Sequence, residues 1–320
     1  MNRTRSFAAY NKNADIRVLS SSGGIFYVLA RRTILEKGVV FGAAFDHEGK
    51  VRHQACETTE ELPIIMQSKY VQSAMHDTYR QVLMALKNNR KVLFCGTPCQ
   101  VGGLISYLNL FLNGENWRER LVTIDFICHG VPSPLVWKRY LKEISGDRKA
   151  TTINFRDKTN GWRDFSLKIN FNDGTQYLES QKKDPYMRGF LENLYLRESC
   201  HECRFRGIER ESDFTIADFW GVHEFLPDFF DDKGTSIVMT HNDRAVQLLN
   251  EVSDSLVICE IDSSIVEKTN SPIVRSVSMN ARRDEFMKNM STKNISETLK
   301  EYTSISFINR VKRRINKIIH

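Results

Sequence analysis

Four of the seven cysteines stand where their thiolates could share a metal group. Cys99 lies in Gly96-Thr97-Pro98-Cys99-Gln100 and Cys128 in Asp125-Phe126-Ile127-Cys128-His129-Gly130, each just past an apolar, β-branched run (residues 91–94 and 121–127). Cys200 and Cys203 form a Cys-x-x-Cys pair in Ser199-Cys200-His201-Glu202-Cys203. A thiol just past a strand end, beside Gly and Pro, is set to face a crevice, and four thiolates from three loops meet the demand of a [4Fe–4S] cluster. Thiolates serve zinc as well. Structural zinc usually draws on two compact Cys-x-x-Cys knuckles, however, and this sequence has one. Ordinary buried thiols are a third reading for Cys99 and Cys128. Cys56, Cys95 and Cys259 sit in apolar, strand-like contexts that point to packing. Cys95, four residues before Cys99, is close enough in sequence to replace a ligand.

Two polar segments could hold an organic cofactor. Ser20-Ser21-Ser22-Gly23-Gly24 precedes a long helical pattern. Helix N-terminal amides, hydroxyls and two glycines would suit a phosphate or pyrophosphate, with Arg17 nearby, and a plain helix cap and turn reads the same way. Ser68-Lys69-Tyr70-Val71-Gln72-Ser73 groups a lysine, an amide and hydroxyls that could bond a flavin edge or a sugar phosphate, or simply face solvent. Trp162 and Trp220 read as lids over a core, and His129 as an exposed or capping residue. The chain shows no Ser–His–Asp order, paired-carboxylate motif, P-loop or Gly-x-Gly-x-x-Gly.

The elements that must position these groups alternate in the first half. The pattern predicts helices over 24–37, 77–87, 98–111 and from Ser133-Pro134 to about 144, and strands over 39–45, 91–95 and 121–127. After residue 150 come short strands at 151–155, 165–171 and 175–178, the last two joined by an Asn172-Asp173-Gly174 turn. A helix at 184–194, strands at 214–217, 235–240 and 255–260, and a helix at 243–252 follow. The expected class is α/β, a mixed, largely parallel sheet flanked by helices with a second α+β part. The expected domains are a flavin-binding α/β region (1–150), an α+β region carrying the Cys-x-x-Cys loop (151–300) and a basic amphipathic C-terminal helix (301–320).

The 320 residues, 41% hydrophobic and 27% charged, have an ordinary globular composition. No stretch approaches the roughly 20 apolar residues of a membrane span, and no apolar run follows the charged N-terminus as in a signal peptide. A cytoplasmic, thiol-preserving setting is expected, which argues against a disulfide framework. The net charge of +7 owes much to the tail, where Arg310, Lys312, Arg313, Arg314 and Lys317 stand without an acid. Ile308, Val311, Ile315 and Ile318 line one face of that tail. This suits peripheral contact with the inner face of a membrane, or packing on the body or another subunit. With no zinc finger or RNA-binding signature, nucleic-acid binding is not expected.

Taken in order, Ser21-Ser22-Gly23-Gly24, Ser68 to Ser73, Gly96 to Gln100, Cys128-His129-Gly130-Val131-Pro132-Ser133, Phe155-Arg156-Asp157-Lys158, Cys200-x-x-Cys203 and Asp213 through Asp218-Phe219-Trp220-Gly221 resemble the β-subunit family of coenzyme F420 hydrogenases and dehydrogenases. The resemblance covers roughly residues 8 to 240. It implies an iron–sulfur flavoprotein oxidoreductase. FAD would be held by Ser21, Ser22, Gly23, Gly24, Lys69, Tyr70, Gln72, Ser73 and Thr97, beside a [4Fe–4S] cluster on Cys99, Cys128, Cys200 and Cys203. Lys69 is expected to act as a cation that stabilises the anionic reduced flavin. Many bacterial relatives begin with a two-cluster ferredoxin segment. This sequence resembles the form lacking it, so a ferredoxin-like electron donor or acceptor is the expected partner. The substrate is expected to be a small molecule such as a deazaflavin or a sugar- or isoprenoid-linked intermediate, in keeping with relatives encoded near polysaccharide-synthesis genes. Two rival readings are an electron-relay subunit and a zinc-stabilised scaffold for surface-polysaccharide synthesis.

Overall fold

The computed structural model describes residues 4–112, 114, 116–291 and 293–303. Its strands are β1 (Arg5–Asn11), β2 (Val39–Phe45), β3 (Val51–Cys56), β4 (Val92–Cys95), β5 (Leu121–Phe126), β6 (Ala150–Asp157), β7 (Ser166–Phe171), β8 (Gln176–Ser180), β9 (Phe214–Asp218), β10 (Ser236–Thr240) and β11 (Leu256–Ile261). The helices are α1 (Ala14–Leu19), α2 (Ile25–Leu35), α3 (Leu62–Ile65), α4 (Thr78–Lys87), α5 (Pro98–Phe111), α6 (Pro134–Ser145), α7 (Pro185–Leu191), α8 (Val222–Phe225), α9 (Asp243–Glu251), α10 (Ser263–Thr269), α11 (Arg283–Asn289) and α12 (Ile295–Thr303).

Eight strands form one sheet in the order β11-β1-β10-β9-β5-β4-β2-β3. The central four, β9-β5-β4-β2, are parallel, and every outer pair is antiparallel. Parallel strands covered on both faces must be apolar throughout. Val92, Leu93 and Phe94 meet that demand, all of them fully buried. Alternation splits the packing. Val40, Leu93 and Ile124 face the layer of α2 and α9, whereas Val39, Phe41, Val92 and Phe94 face α4 and α5. The fold is α/β, as the alternation of patterns predicts.

The remaining strands, β6-β7-β8, form a separate antiparallel sheet. Trp137 on α6, Phe155 on β6, Tyr186 on α7 and Tyr195 pack beside it in an aromatic core with α11 and α12. The large sheet takes strands from both sides of residue 150, because β9, β10 and β11 return to pair with β5 and β1. A buried ion pair joins the two sheets. Arg156 on β6, 1% exposed, makes two hydrogen bonds of 2.8 and 2.7 Å to Asp218 on β9.

Two strands have no counterpart in the sequence pattern. β1 carries Ala8 and Ala9, both fully buried, where a strand usually carries branched side chains. β3 reads Val51-Arg52-His53-Gln54, too polar to signal a buried strand, yet it pairs with β2 along the sheet edge. Of the expected basic helix, residues 304–320 lie outside the described residues. Among the described residues, no helix is long and apolar enough to cross a membrane.

Candidate functional site

Each of the four cysteines is set by the element next to it. Cys99 sits in the first turn of α5, whose Thr97 cap closes a capping box with Gln100. The Thr97 hydroxyl lies 3.1 Å from the Cys99 sulfur. Cys128 follows β5, and the Arg206 guanidinium clamps this loop by donating to the carbonyls of Cys128, His129 and Pro272. Cys200 ends a short 3-10 turn, and the Val131 amide points at its sulfur from 3.5 Å. The Cys203 amide donates to the Ser276 hydroxyl, and His201 Nδ1 bonds the Val277 carbonyl.

The topology brings these loops to one place. Burial pushes the Cys128 thiol up to about 12, Arg206 pulls it back, and Cys200, Cys99 and Cys203 push it up again. Burial likewise raises Cys200, the Val131 amide opposes this, and Cys99 and Cys203 add to it. Cys128 therefore lies within electrostatic reach of the other three thiols, and Cys200 within reach of Cys99 and Cys203, with Cys99 exposed. Among the described residues, no three His, Cys, Asp or Glu side chains crowd closely enough to hold a single ion. Cys95 stands apart. Burial and the Asp125 carboxylate raise it to about 12, while Lys69 lowers it.

The two polar segments meet as well. The Ser68 amide donates to the Ser21 hydroxyl at 2.7 Å. Ser22 is turned inward, its hydroxyl donating to the Thr235 carbonyl, and the Gly23 amide donates to Ser236. Gly23 passes so close to β1 that a Cβ would stand 2.5 Å from the Ala9 carbonyl oxygen. Gly24, with φ of 83°, takes the left-handed turn that starts α2, and no side chain caps the amides of that helix. The Arg17 guanidinium is engaged by Asp231 and the Gly234 carbonyl, so it does not present itself to a phosphate.

Within the second segment, the Lys69 ammonium donates to the carbonyls of Ile64, Met66 and Gln67 at the end of α3. Burial draws its pKa down to about 7, against the pull of Cys95 and Cys56. The Tyr70 hydroxyl accepts from Arg156, and the Tyr70 ring stacks on Phe190 at 4.7 Å. Phe190 in turn meets the edge of His129, next to Cys128. The Gln72 amide donates to the Pro132 carbonyl. Gln72 also lines a cleft of about 730 Å³ shared with Ser133, Arg197, His201 and Arg283. Ser73 bonds His53, which bonds the Cys95 carbonyl just before Thr97 and Cys99. The segment thus touches the Cys128 loop on one side and the approach to Cys99 on the other.

Sequence reasoning misses His53, because β3 is too polar to read as a strand. It also gives no role to Lys158, whose ammonium donates to the carbonyls of Arg17, Ser22 and Lys233 and braces the Ser21–Gly24 loop. Lys158 stands two residues after Arg156, and both reach that loop, Arg156 by donating to the Ser21 carbonyl, a pairing with distant partners that the charged run does not signal. Trp162 is fully buried, stacks on Trp220 at 5.0 Å and donates to Asp218, in keeping with a place in the core.

The fold is shared with a chain of the F420-reducing [NiFe] hydrogenase complex from Methanosarcina barkeri, at 12% identity and a TM-score of 0.56, over 90% of this chain and 93% of that one. Comparison with curated proteins gives no match. The family model for the C terminus of the coenzyme F420 hydrogenase/dehydrogenase beta subunit matches residues 89–264. That span is more than half of the sequence and takes in all four candidate ligands, and the chain belongs to the coenzyme F420 hydrogenase/dehydrogenase beta-subunit family.

Proposed function

We propose that the protein is an iron–sulfur flavoprotein oxidoreductase, with a [4Fe–4S] cluster on Cys99, Cys128, Cys200 and Cys203 and FAD along the Ser21–Gly24 and Ser68–Ser73 segments. The observation that carries this reading is that the thiols of three loops come within reach of Cys128, whose loop is bonded to the Ser68–Ser73 segment through the Gln72 amide and the Pro132 carbonyl. Two single cysteines and one Cys-x-x-Cys pair, drawn from three loops, suit a cluster more than the paired knuckles of structural zinc. A tetrahedral zinc with bonds of ~2.3 Å needs its sulfurs about 3.8 Å apart, whereas a cubane seats each thiolate on a separate iron and spreads them wider.

Bound there, the cluster would supply one-electron transfer and the flavin two-electron exchange with a small-molecule substrate. The chain's own residues do the holding. Ser21, Gln72, Ser73, Thr97 and the uncapped amides at Gly24 offer polar contacts, while Ser22 and Gly23 hold the loop on the sheet. The Lys69 ammonium, engaged by the carbonyls at the end of α3 and drawn down to about 7 by burial, holds that turn in place. Arg206 holds the Cys128 loop, and the Arg206 charge lowers the cost of gathering thiolates there. The exposed Cys99 edge is where a ferredoxin-like partner would approach.

Anaerobic reduction by a ferredoxin, followed by mixing with candidate deazaflavin or sugar-linked substrates, tests the reading. Substrate-dependent return of the oxidised flavin spectrum is expected. Reduction by ferredoxin with no reoxidation by any small molecule would leave a relay subunit instead.

A further inference from the structure

A short chain of hydrogen bonds fixes the polarity of one hydroxyl in the Ser68–Ser73 segment. His53 Nε2 lies 3.0 Å from the Cys95 carbonyl oxygen, and His53 Nδ1 lies 2.7 Å from the Ser73 hydroxyl. A carbonyl can only accept, so Nε2 carries the ring proton. A neutral imidazole has one N–H, so Nδ1 is the acceptor. The Ser73 O–H must therefore point at His53, and the Ser73 oxygen turns only lone pairs to anything else. The ring has little freedom to choose otherwise. It is 6% exposed and stacked on Phe94, with centroids 5.3 Å apart and planes 14° from parallel. Burial holds its pKa down at about 4, so the imidazole is neutral at ordinary pH.

We infer that Ser73 accepts a hydrogen bond from the ring N3–H of the bound flavin, and that His53 is the positioning residue that sets the hydroxyl in this sense. The inference rests on the flavin reading above. An acceptor-only hydroxyl rejects the carbonyl and bare-nitrogen edges of an isoalloxazine and selects its N–H, and N3–H is the one present in the oxidised ring. Ser73 is half-buried and follows Gln72 in the same segment, so a flavin held along that segment would have an edge within its reach.

The test is anaerobic titration of the full chain with FAD and with FAD methylated at N3. Wild-type protein is expected to bind the methylated cofactor about tenfold more weakly, and Ser73→Ala to bind FAD about tenfold more weakly while no longer distinguishing the two. His53→Asn, which keeps an acceptor at the Nδ1 position, is expected to stay within about threefold of wild type. His53→Gln, which keeps only the donor to Cys95, is expected to fall with Ser73→Ala. A merely structural role for Ser73 would not move the discrimination between the two cofactors. If wild-type protein binds FAD but treats the methylated form alike, the Ser73 assignment is overturned and the flavin reading stands. If it binds no FAD, both fall.

Discussion

Cys95 and Cys99 are separated by one helix cap, and their surroundings diverge. Cys95 ends β4 with its thiol on the buried side, raised to about 12 by burial and Asp125. Cys99 is exposed in the first turn of α5, beside the Thr97 hydroxyl. Replacing Cys99, Cys128, Cys200 or Cys203 with Ser is expected to remove most of the iron from anaerobically purified protein, whereas Cys95→Ala is expected to keep the wild-type iron content. Equal loss from Cys95→Ala would place a ligand at the wrong residue. The cysteines and the Ser68–Ser73 segment are legible in the sequence because residue type and loop chemistry mark them locally. The engagement of Arg17 and the place of His53 are not, because both depend on distant partners. Asp231 engages the Arg17 guanidinium, and Phe94 and Cys95 lock the His53 ring.

At the scale of elements, the join between β6 and β9 decides how the two sheets hold the Ser21 loop. Asp218 accepts two bonds from Arg156 and one from the Trp162 indole, and Arg156 also donates to the Ser21 carbonyl. Asp218→Ala would leave a buried guanidinium unpaired, and urea unfolding is expected to show a loss of about 3–5 kcal/mol. A loss below about 1 kcal/mol would mean that water readily replaces the carboxylate. Gly23→Ala is expected to cost about 1–3 kcal/mol, since its Cβ must displace the Ala9 carbonyl or Ser236. Most elements are legible, the buried runs of β2, β4 and β5 above all, because a parallel strand has to be apolar throughout. β1 is hidden because alanine carries no strand signal, and Gly23 closes on the strand at the Ala9 carbonyl.

Over the whole molecule, burial of polar groups makes stability depend on pH. His53 and His241 are both held at about 4 by burial. Unfolded histidine titrates near 6.5, so below that pH the unfolded chain binds more protons and the fold loses stability as the pH falls. Asp125 acts in the opposite direction. Burial raises it to about 6, so its protonated form favours the fold at low pH and that contribution is lost as the pH rises through 6. Burial also lowers His129 and raises Asp184, so histidines still outnumber carboxyls, and a net loss on acidification from pH 6.5 to about 4.5, of order 1–3 kcal/mol, is expected. His241→Asn is expected to flatten most of this slope in urea unfolding followed across that range. An unchanged slope would mean that His241 is protonated in the folded protein.

If sulfurs from three separate loops form one redox centre beside a flavin, the purified protein carries both groups. The most direct measurement is the iron, acid-labile sulfide and FAD content of protein purified without oxygen, read together with its visible spectrum. About four iron and four sulfide per chain, with one FAD and a broad charge-transfer absorbance that bleaches on reduction, is the predicted result. Colourless protein carrying zinc, or no metal and no flavin after reconstitution, would contradict it.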